Sequence, residues 1–84
     1  MKNKITEQDI NNIMDQSDIK TDTLYDKVTM VSMRLPNGFV LTETSGAVDK
    51  SNYNFDMGKQ ICLNRIKNKL WELEGYALAK QLAE

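Results

Sequence analysis

The sequence predicts a small α+β domain: a short N-terminal helix, an antiparallel β-hairpin and one long, amphipathic C-terminal helix. Three observations predict it. A capped apolar stripe lies within residues 6–16, two strand-like runs flank a Pro-Asn-Gly turn within residues 27–45, and apolar residues recur at helical spacing over residues 56–82. The chain has 84 residues, which fits a single domain over residues 1–84.

The helix predicted at residues 6–16 begins with a recognisable cap. Thr6 can be the N-cap, and Asp9, three residues later, can complete a capping box. One narrow apolar stripe runs along the helix and consists of Ile10, Ile13 and Met14. Because the stripe is thin, the helix needs a partner surface, either in its own domain or in another subunit.

The hairpin predicted at residues 27–45 is the clearest local signal, and an acidic segment precedes it. Residues 17–26 have no apolar period and many side chains that bond their own backbone, which predicts a solvated linker. Pro36, Asn37 and Gly38 then separate two β-prone runs, as expected for a hairpin turn. Strand alternation places on one face Val31, Met33 and Leu35.

The long helix predicted at residues 56–82 can be capped by Asn54 or Ser51. At ~1.5 Å per residue it would be about 40 Å long. A compact chain of this size has a radius of gyration of about 12 Å, so the helix would extend beyond its own domain. We therefore expect self-association, as a dimer or larger, to cover the distal apolar residues Leu73, Tyr76, Leu78 and Leu82.

Composition argues against several classes of function. A net charge of −1 argues against a protein that coats DNA, and no apolar run is long enough for a membrane span. The single cysteine cannot form an internal disulfide and fits a reducing, cytoplasmic setting. The chain has no histidine, which disfavours an enzyme or a metal site, so we expect neither catalysis nor a cofactor.

Two groups of side chains are candidates for ligand binding. Residues 59–69 contain four cations and no anion, namely Lys59, Arg65, Lys67 and Lys69. This stretch is either a patch for a phosphorylated ligand or a solvated helix face in which Glu72 and Glu74 pair with Lys69. Phe39 follows the turn directly, where it can stack on a nucleobase or serve as a core residue of the hairpin.

Other reactive residue types have simpler structural interpretations. Trp71 suggests a core or subunit-interface residue, and Cys62 a small buried apolar residue. The carboxylates Glu43, Asp49 and Asp56 have no spacing that specifies acid–base chemistry, which favours solvated loop positions.

Two motifs carry a family resemblance that covers roughly residues 28–78. Leu-Pro-Asn-Gly-Phe stands at residues 35–39, and Trp-Glu-Leu-Glu-Gly-Tyr at residues 71–76. Together they resemble a family of short phage and prophage proteins that includes anti-defence sponges against the Thoeris system. Sponge members bind glycocyclic ADP-ribose without cleaving it, in pockets shared between subunits, and some also sequester cyclic oligonucleotides.

The resemblance implies a ligand site in this chain. The adenine would be held by an aromatic and an arginine, which correspond to Phe39 and Arg65. Three more residues are candidates for further contacts with the ligand: Arg34, Asn52 from the loop after the hairpin, and Lys69 from the basic stretch. The protein would then act in the cytoplasm of an infected host cell.

Two other functions remain open. A protein-binding adaptor or inhibitor would use the long helix as its docking face. A weak nucleic-acid binder would act through residues 59–69, but the net charge makes it the least favoured of the three.

Overall fold

A computed structural model describes residues 2–84 and gives the chain an α+β architecture, as the sequence predicts. The elements are α1 (Glu7–Asp15), β1 (Asp18–Leu24), β2 (Val28–Arg34), β3 (Val40–Gly46), a 3-10 helix (Lys50–Asn52) and α2 (Phe55–Leu82). The strands form one antiparallel sheet in the order β1-β2-β3. The sheet therefore has one strand more than the predicted hairpin.

The predicted capping box of α1 is confirmed. The Asp9 N–H donates to Thr6 Oγ1 at 3.2 Å, and the Thr6 N–H donates to the Asp9 carboxylate at 2.8 Å. These two bonds satisfy donors that the first turn leaves without a partner. Ile10 is fully buried in the domain core, with Ile13 and Met14 packed against it, so the thin apolar stripe finds its partner within the same chain.

The prediction of a linker at residues 17–26 is wrong, because most of this segment is strand β1. Its first residue Asp18 lies opposite Arg34, and its last residue Leu24 lies opposite Val28. Six of the seven residues are exposed, so the ladder to β2, rather than apolar burial, holds the strand. The turn that follows spans residues 25–27, in which Tyr25 and Asp26 have left-handed φ of 54° and 58° without a glycine or asparagine.

The predicted hairpin of β2 and β3 is confirmed, and its turn is closed by two backbone bonds. Leu35 N–H donates to the Phe39 carbonyl at 2.8 Å, and Gly38 N–H donates to the Leu35 carbonyl at 2.8 Å. Gly38 has φ of 92°, a conformation that a side chain would strain. The structure shows which face is the inner one: Val31, Met33 and Leu35, which alternation places on a shared face, are all buried.

Helix α2 covers the inner face of β2 and β3. It begins at Phe55, and the side chain of its N-cap Asn54 accepts from the Met57 N–H at 3.0 Å, which confirms one of the two predicted caps. Its buried residues recur every fourth position and are Gly58, Cys62, Ile66 and Leu70. This stripe meets the buried sheet residues in one core.

The predicted overhang of the long helix is confirmed. The molecule measures 52 × 20 × 19 Å, with a radius of gyration of 15.2 Å. Leu70 is the last buried residue of α2, and Leu73, Tyr76 and Leu82 are exposed beyond it. Self-association to cover them stays a prediction. Within residues 2–84, no helix is long and apolar enough to cross a membrane.

Candidate functional site

A groove opens where the β2–β3 turn meets the distal half of α2. It has a volume of about 200 Å³ and is lined by Leu35, Phe39, Leu70, Leu73, Glu74 and Ala77. Phe39 is 53% exposed and Leu73 40% exposed, so both present apolar surface to solvent. A flat aromatic or heterocyclic ring can lie on such a surface and remove it from water.

The turn fixes the position of Phe39. Its N–H donates to Asn37 Oδ1 at 3.0 Å, and its carbonyl accepts from the Leu35 N–H at 2.8 Å. The backbone of Phe39 is thus held on both sides while half of the side chain stays exposed. The alternative interpretation of Phe39 as a core residue is therefore wrong.

Two cations of α2 face the neighbouring strand β3. Arg65 Nη1 donates to the Thr44 carbonyl at 2.7 Å, and the Lys69 ammonium is ion-paired with the Glu43 carboxylate. The Glu43 side chain is only 15% exposed, so this pair is partly desolvated. The partner of Lys69 is therefore a β3 residue, and not Glu72 or Glu74 of its own helix.

The basic stretch of residues 59–69 does not form one continuous patch. Lys67 donates to Glu7 of α1 at 3.3 Å, while Arg65 and Lys69 face β3. Arg65, Lys69 and Leu73 follow one another at intervals of one helical turn, about 6 Å. Two of the four cations thus lie on the flank of α2 that leads to the Phe39 groove.

The structure places the two other candidate residues elsewhere in the chain. Arg34 lies on the open face of the sheet, where its guanidinium is 3.4 Å from the Asp18 carboxylate. Asn52 lines a separate groove beside Tyr53 and Gly46, at the far end of β3. Lys69 and Arg65 therefore lie one and two helical turns before Leu73 of the Phe39 groove, whereas Arg34 and Asn52 lie elsewhere.

The model of the phage protein (N4 Gp49/phage Sf6 gene 66) family matches residues 4–82 of the chain. The chain belongs to this phage protein family. No curated protein and no solved structure shows a match to it. Membership agrees with the phage-protein resemblance carried by the two sequence motifs.

Sequence reasoning missed one polar residue of the site in this phage protein. Glu74 lines the Phe39 groove, where its carboxylate can accept a hydrogen bond from an exocyclic amine of a base. A signal for it was present, because Glu74 lies one helical turn after the buried Leu70 and therefore on the same face. The charge of Glu74 instead suggested a partner for Lys69.

The remaining candidates have structural roles. The Cys62 thiol is buried as predicted and donates to the Thr29 carbonyl at 3.7 Å, and burial raises its pKa. Asp49 caps the 3-10 helix by accepting from the Ser51 N–H. Trp71 is 37% exposed and is not a core residue of this chain. Over residues 2–84, no three Cys, Asp or Glu side chains are grouped to hold a metal ion.

Proposed function

We propose that this phage protein is an anti-defence protein that binds a cyclic nucleotide immune signal and sequesters it without cleavage. The ligand class is glycocyclic ADP-ribose, and cyclic oligonucleotides are the second candidate. The observation that carries the proposal is the exposed Phe39 ring at a groove whose helix presents Lys69 and Arg65 on the adjoining turns.

The groove suits the base of such a ligand. Stacking of a base on an aromatic side chain contributes roughly 1–3 kcal/mol and tolerates different bases. Leu70 and Leu73 supply apolar surface beside Phe39, and Glu74 supplies an acceptor for an adenine amine. The base would thus be held by stacking on the Phe39 ring and by one hydrogen bond from its amine to Glu74.

The cations suit the phosphates. A guanidinium has five N–H donors, and Arg65 uses one of them to bind the Thr44 carbonyl. Other donors therefore remain for a phosphate. Arg65 and Leu73 are two helical turns, about 12 Å, apart. This separation matches a ligand that extends from a base to a pyrophosphate. Lys69 contributes less, because Glu43 already neutralises it.

Two further features support sequestration. The chain has no histidine, which favours binding over hydrolysis. The groove is open on one side, and in the proposed assembly a second subunit covers it, self-associating through the exposed distal residues Leu73, Tyr76 and Leu82. Arg34 and Asn52 lie away from this groove, so either would reach the ligand only from another subunit.

Native mass spectrometry with a panel of cyclic nucleotides and ADP-ribose isomers tests the proposal. We expect one ligand per pocket, returned chemically intact after heat denaturation. Phe39→Ala and Arg65→Ala should each weaken binding by roughly 1–3 kcal/mol. Tyr25→Ala, which removes an exposed aromatic from the other turn, and Lys59→Ala are the matched controls and should bind like the wild type.

Two outcomes of this experiment would contradict the proposal. Recovery of a cleaved product would make the protein an enzyme. Wild-type affinity in both Phe39→Ala and Arg65→Ala would move the site away from the groove.

An adaptor or inhibitor that docks through α2 is the alternative, and the exposed helix surface favours it. Trp71, Tyr76 and Leu82 are exposed along the distal half of α2 and offer apolar surface to a partner. Oxidative footprinting of the isolated protein distinguishes the two functions. An adaptor leaves the exposed Trp71 and Leu82 reactive, whereas a stable homo-oligomer that protects them removes the docking face.

A further inference from the structure

Strand β1 has an open edge. It pairs with β2 on one side, and the structure describes no strand on its other side. Half of the backbone N–H and C=O groups of such an edge strand point outward and can pair with another chain. At this edge the Thr23 N–H takes the carboxylate of the preceding Asp22 as its acceptor, at 2.8 Å.

The strand also buries almost no apolar surface. Six of its seven residues are exposed, and its Ile19 is 39% exposed although it lies opposite the fully buried Met33. Helix α2 lies over β2 and β3 and leaves the inner face of β1 largely uncovered, although the Tyr53 hydroxyl reaches it at Thr23. Strands at sheet edges are usually short or covered, which makes a long, bare edge an indication of a missing partner.

The other edge of the sheet is less open. In β3, Arg65 of α2 donates to the Thr44 carbonyl, and Lys69 pairs with the Glu43 carboxylate. Side chains of the protein therefore already use groups of β3. At β1 the corresponding bond runs from the Thr23 N–H to the neighbouring Asp22 carboxylate, and an added strand can replace this local bond without displacing another element.

The sequence of β1 is complementary to itself. When two copies are aligned antiparallel about Thr21, Lys20 of each copy lies opposite Asp22 of the other, and Ile19 lies opposite Thr23. Opposite charges in directly paired positions stabilise a sheet, and like charges destabilise it. We therefore propose that β1 pairs with β1 of a second copy in this register and joins two sheets into one of six strands.

Neighbouring registers are less favourable. A shift of the centre to residue 20 places Lys20 opposite Lys20, and a shift to residue 22 places Asp22 opposite Asp22. A register whose centre lies between residues 20 and 21, or between residues 21 and 22, leaves no pair of opposite charges. A register centred on Ile19 also brings Asp18 opposite Lys20, but it overlaps only three residues of β1, whereas the register about Thr21 pairs all seven. Charge and overlap together thus select the alignment about Thr21.

The proposed pairing has a definite geometry. Its two-fold axis is perpendicular to the sheet at Thr21, so both α2 helices lie on the same face. Two copies of Ile19, Thr21 and Thr23 then form a continuous strip of sheet between the helices. This interface is separate from the distal helix surface and does not depend on ligand binding.

Charge reversal tests the register in the full-length protein. Sedimentation equilibrium should show that Lys20→Asp and Asp22→Lys each weaken the dimer about tenfold, because two symmetric pairs become repulsive. The double variant Lys20→Asp/Asp22→Lys restores the pairing and should return to within about threefold of the wild type. Lys50→Asp makes the same change of charge in the 3-10 segment and should leave the dimer unchanged.

A cross-link supplies a readout that other interfaces do not affect. In Thr21→Cys the two thiols face each other across the axis, so mild oxidation should give a covalent dimer, and Lys20→Asp should suppress it. Ser51→Cys is the exposed control and should not cross-link at the same protein concentration. Equal cross-linking of the two cysteine variants, or a double variant no better than the singles, would overturn the proposal.

Discussion

Gly58 of α2 lies directly on Thr29 of β2: a Cβ atom at residue 58 would be 2.9 Å from the Thr29 Cβ. Thr29 is fully buried, and the Cys62 thiol, one helical turn further on, donates to the Thr29 carbonyl. The helix thus approaches the sheet closely here, and the missing side chain of Gly58 permits the approach.

Gly58→Ala should lower the free energy of unfolding by about 1–3 kcal/mol. Alanine favours a helix over glycine by about 1 kcal/mol, but its methyl group would have to displace Thr29, whose atoms lie close to the backbone. Chemical denaturation measures the change. A variant as stable as the wild type would show that the helix can move away from the sheet without loss.

Gly75→Ala is the matched control on the same helix. No heavy atom lies within 4 Å of the position that its Cβ would take. The helix preference of alanine should then raise the free energy of unfolding of the monomer by about 0.5–1 kcal/mol. The measurement is denaturation at a protein concentration low enough to keep the chain monomeric, and a destabilised variant would indicate a contact with Gly75.

Tyr53→Phe should lower the free energy of unfolding by about 1–2 kcal/mol. The Tyr53 hydroxyl is 2.9 Å from Thr23 Oγ1 and 2.8 Å from Thr29 Oγ1, so it links β1 and β2 to the segment before α2. Its removal leaves the buried Thr29 hydroxyl without this partner. Thr23→Val is the comparison, and it should cost less because Thr23 is exposed. Equal losses of stability in Tyr53→Phe and Thr23→Val would contradict the importance given to the buried Thr29 hydroxyl.

Asp9 should make stability depend on pH in the acid range. Hydrogen bonds from the Lys2 side chain and from the Thr6 backbone lower the Asp9 pKa from 3.8 to about 2. The folded state therefore binds this proton less tightly than the unfolded chain, so the stabilisation is complete above pH ~4 and is lost as the pH falls towards 2. NMR titration of the carboxylate measures the pKa, and Lys2→Ala should raise it.

Cys62 should react with thiol reagents only when the protein unfolds. The side chain is fully buried, and burial raises the pKa of its thiol, so little thiolate is present near neutral pH. Modification by an aromatic disulfide reagent, followed with and without urea, measures this. Fast modification of the native protein would mean that α2 separates readily from the sheet.

The sequence predicts the elements that bury apolar residues or carry a cap. Asn54 is one of the two caps that the sequence offers for α2, and alternation groups Val31 and Met33 on one face, which the structure shows to be the buried one. It does not identify β1, because Ile19 is the only strongly apolar residue before Leu24, and the turn at Tyr25 lacks the usual glycine or asparagine. The β-branched residues at alternate positions of β1 were the signal available for a strand.

The candidate site is only partly predictable for a different reason. Phe39 follows a recognisable turn, so its exposure can be expected from local chemistry. The partners of Arg65 and Lys69 depend on how α2 lies across β3, which is a tertiary arrangement with no local signal. The separation of Arg34 and Asn52 from Phe39 also depends on tertiary structure, for which the sequence has no local signal.

The overhang of α2 divides the molecule into parts of unequal local stability. Between Gly58 and Leu70 the helix is anchored to the sheet at every turn, so its amides should exchange with solvent only on global unfolding. Residues 71–82 are supported on one side by α1, with which Glu74 and Leu78 share a groove. Their amides should therefore exchange through local opening, and slower exchange there would report any partner that binds this half of the helix.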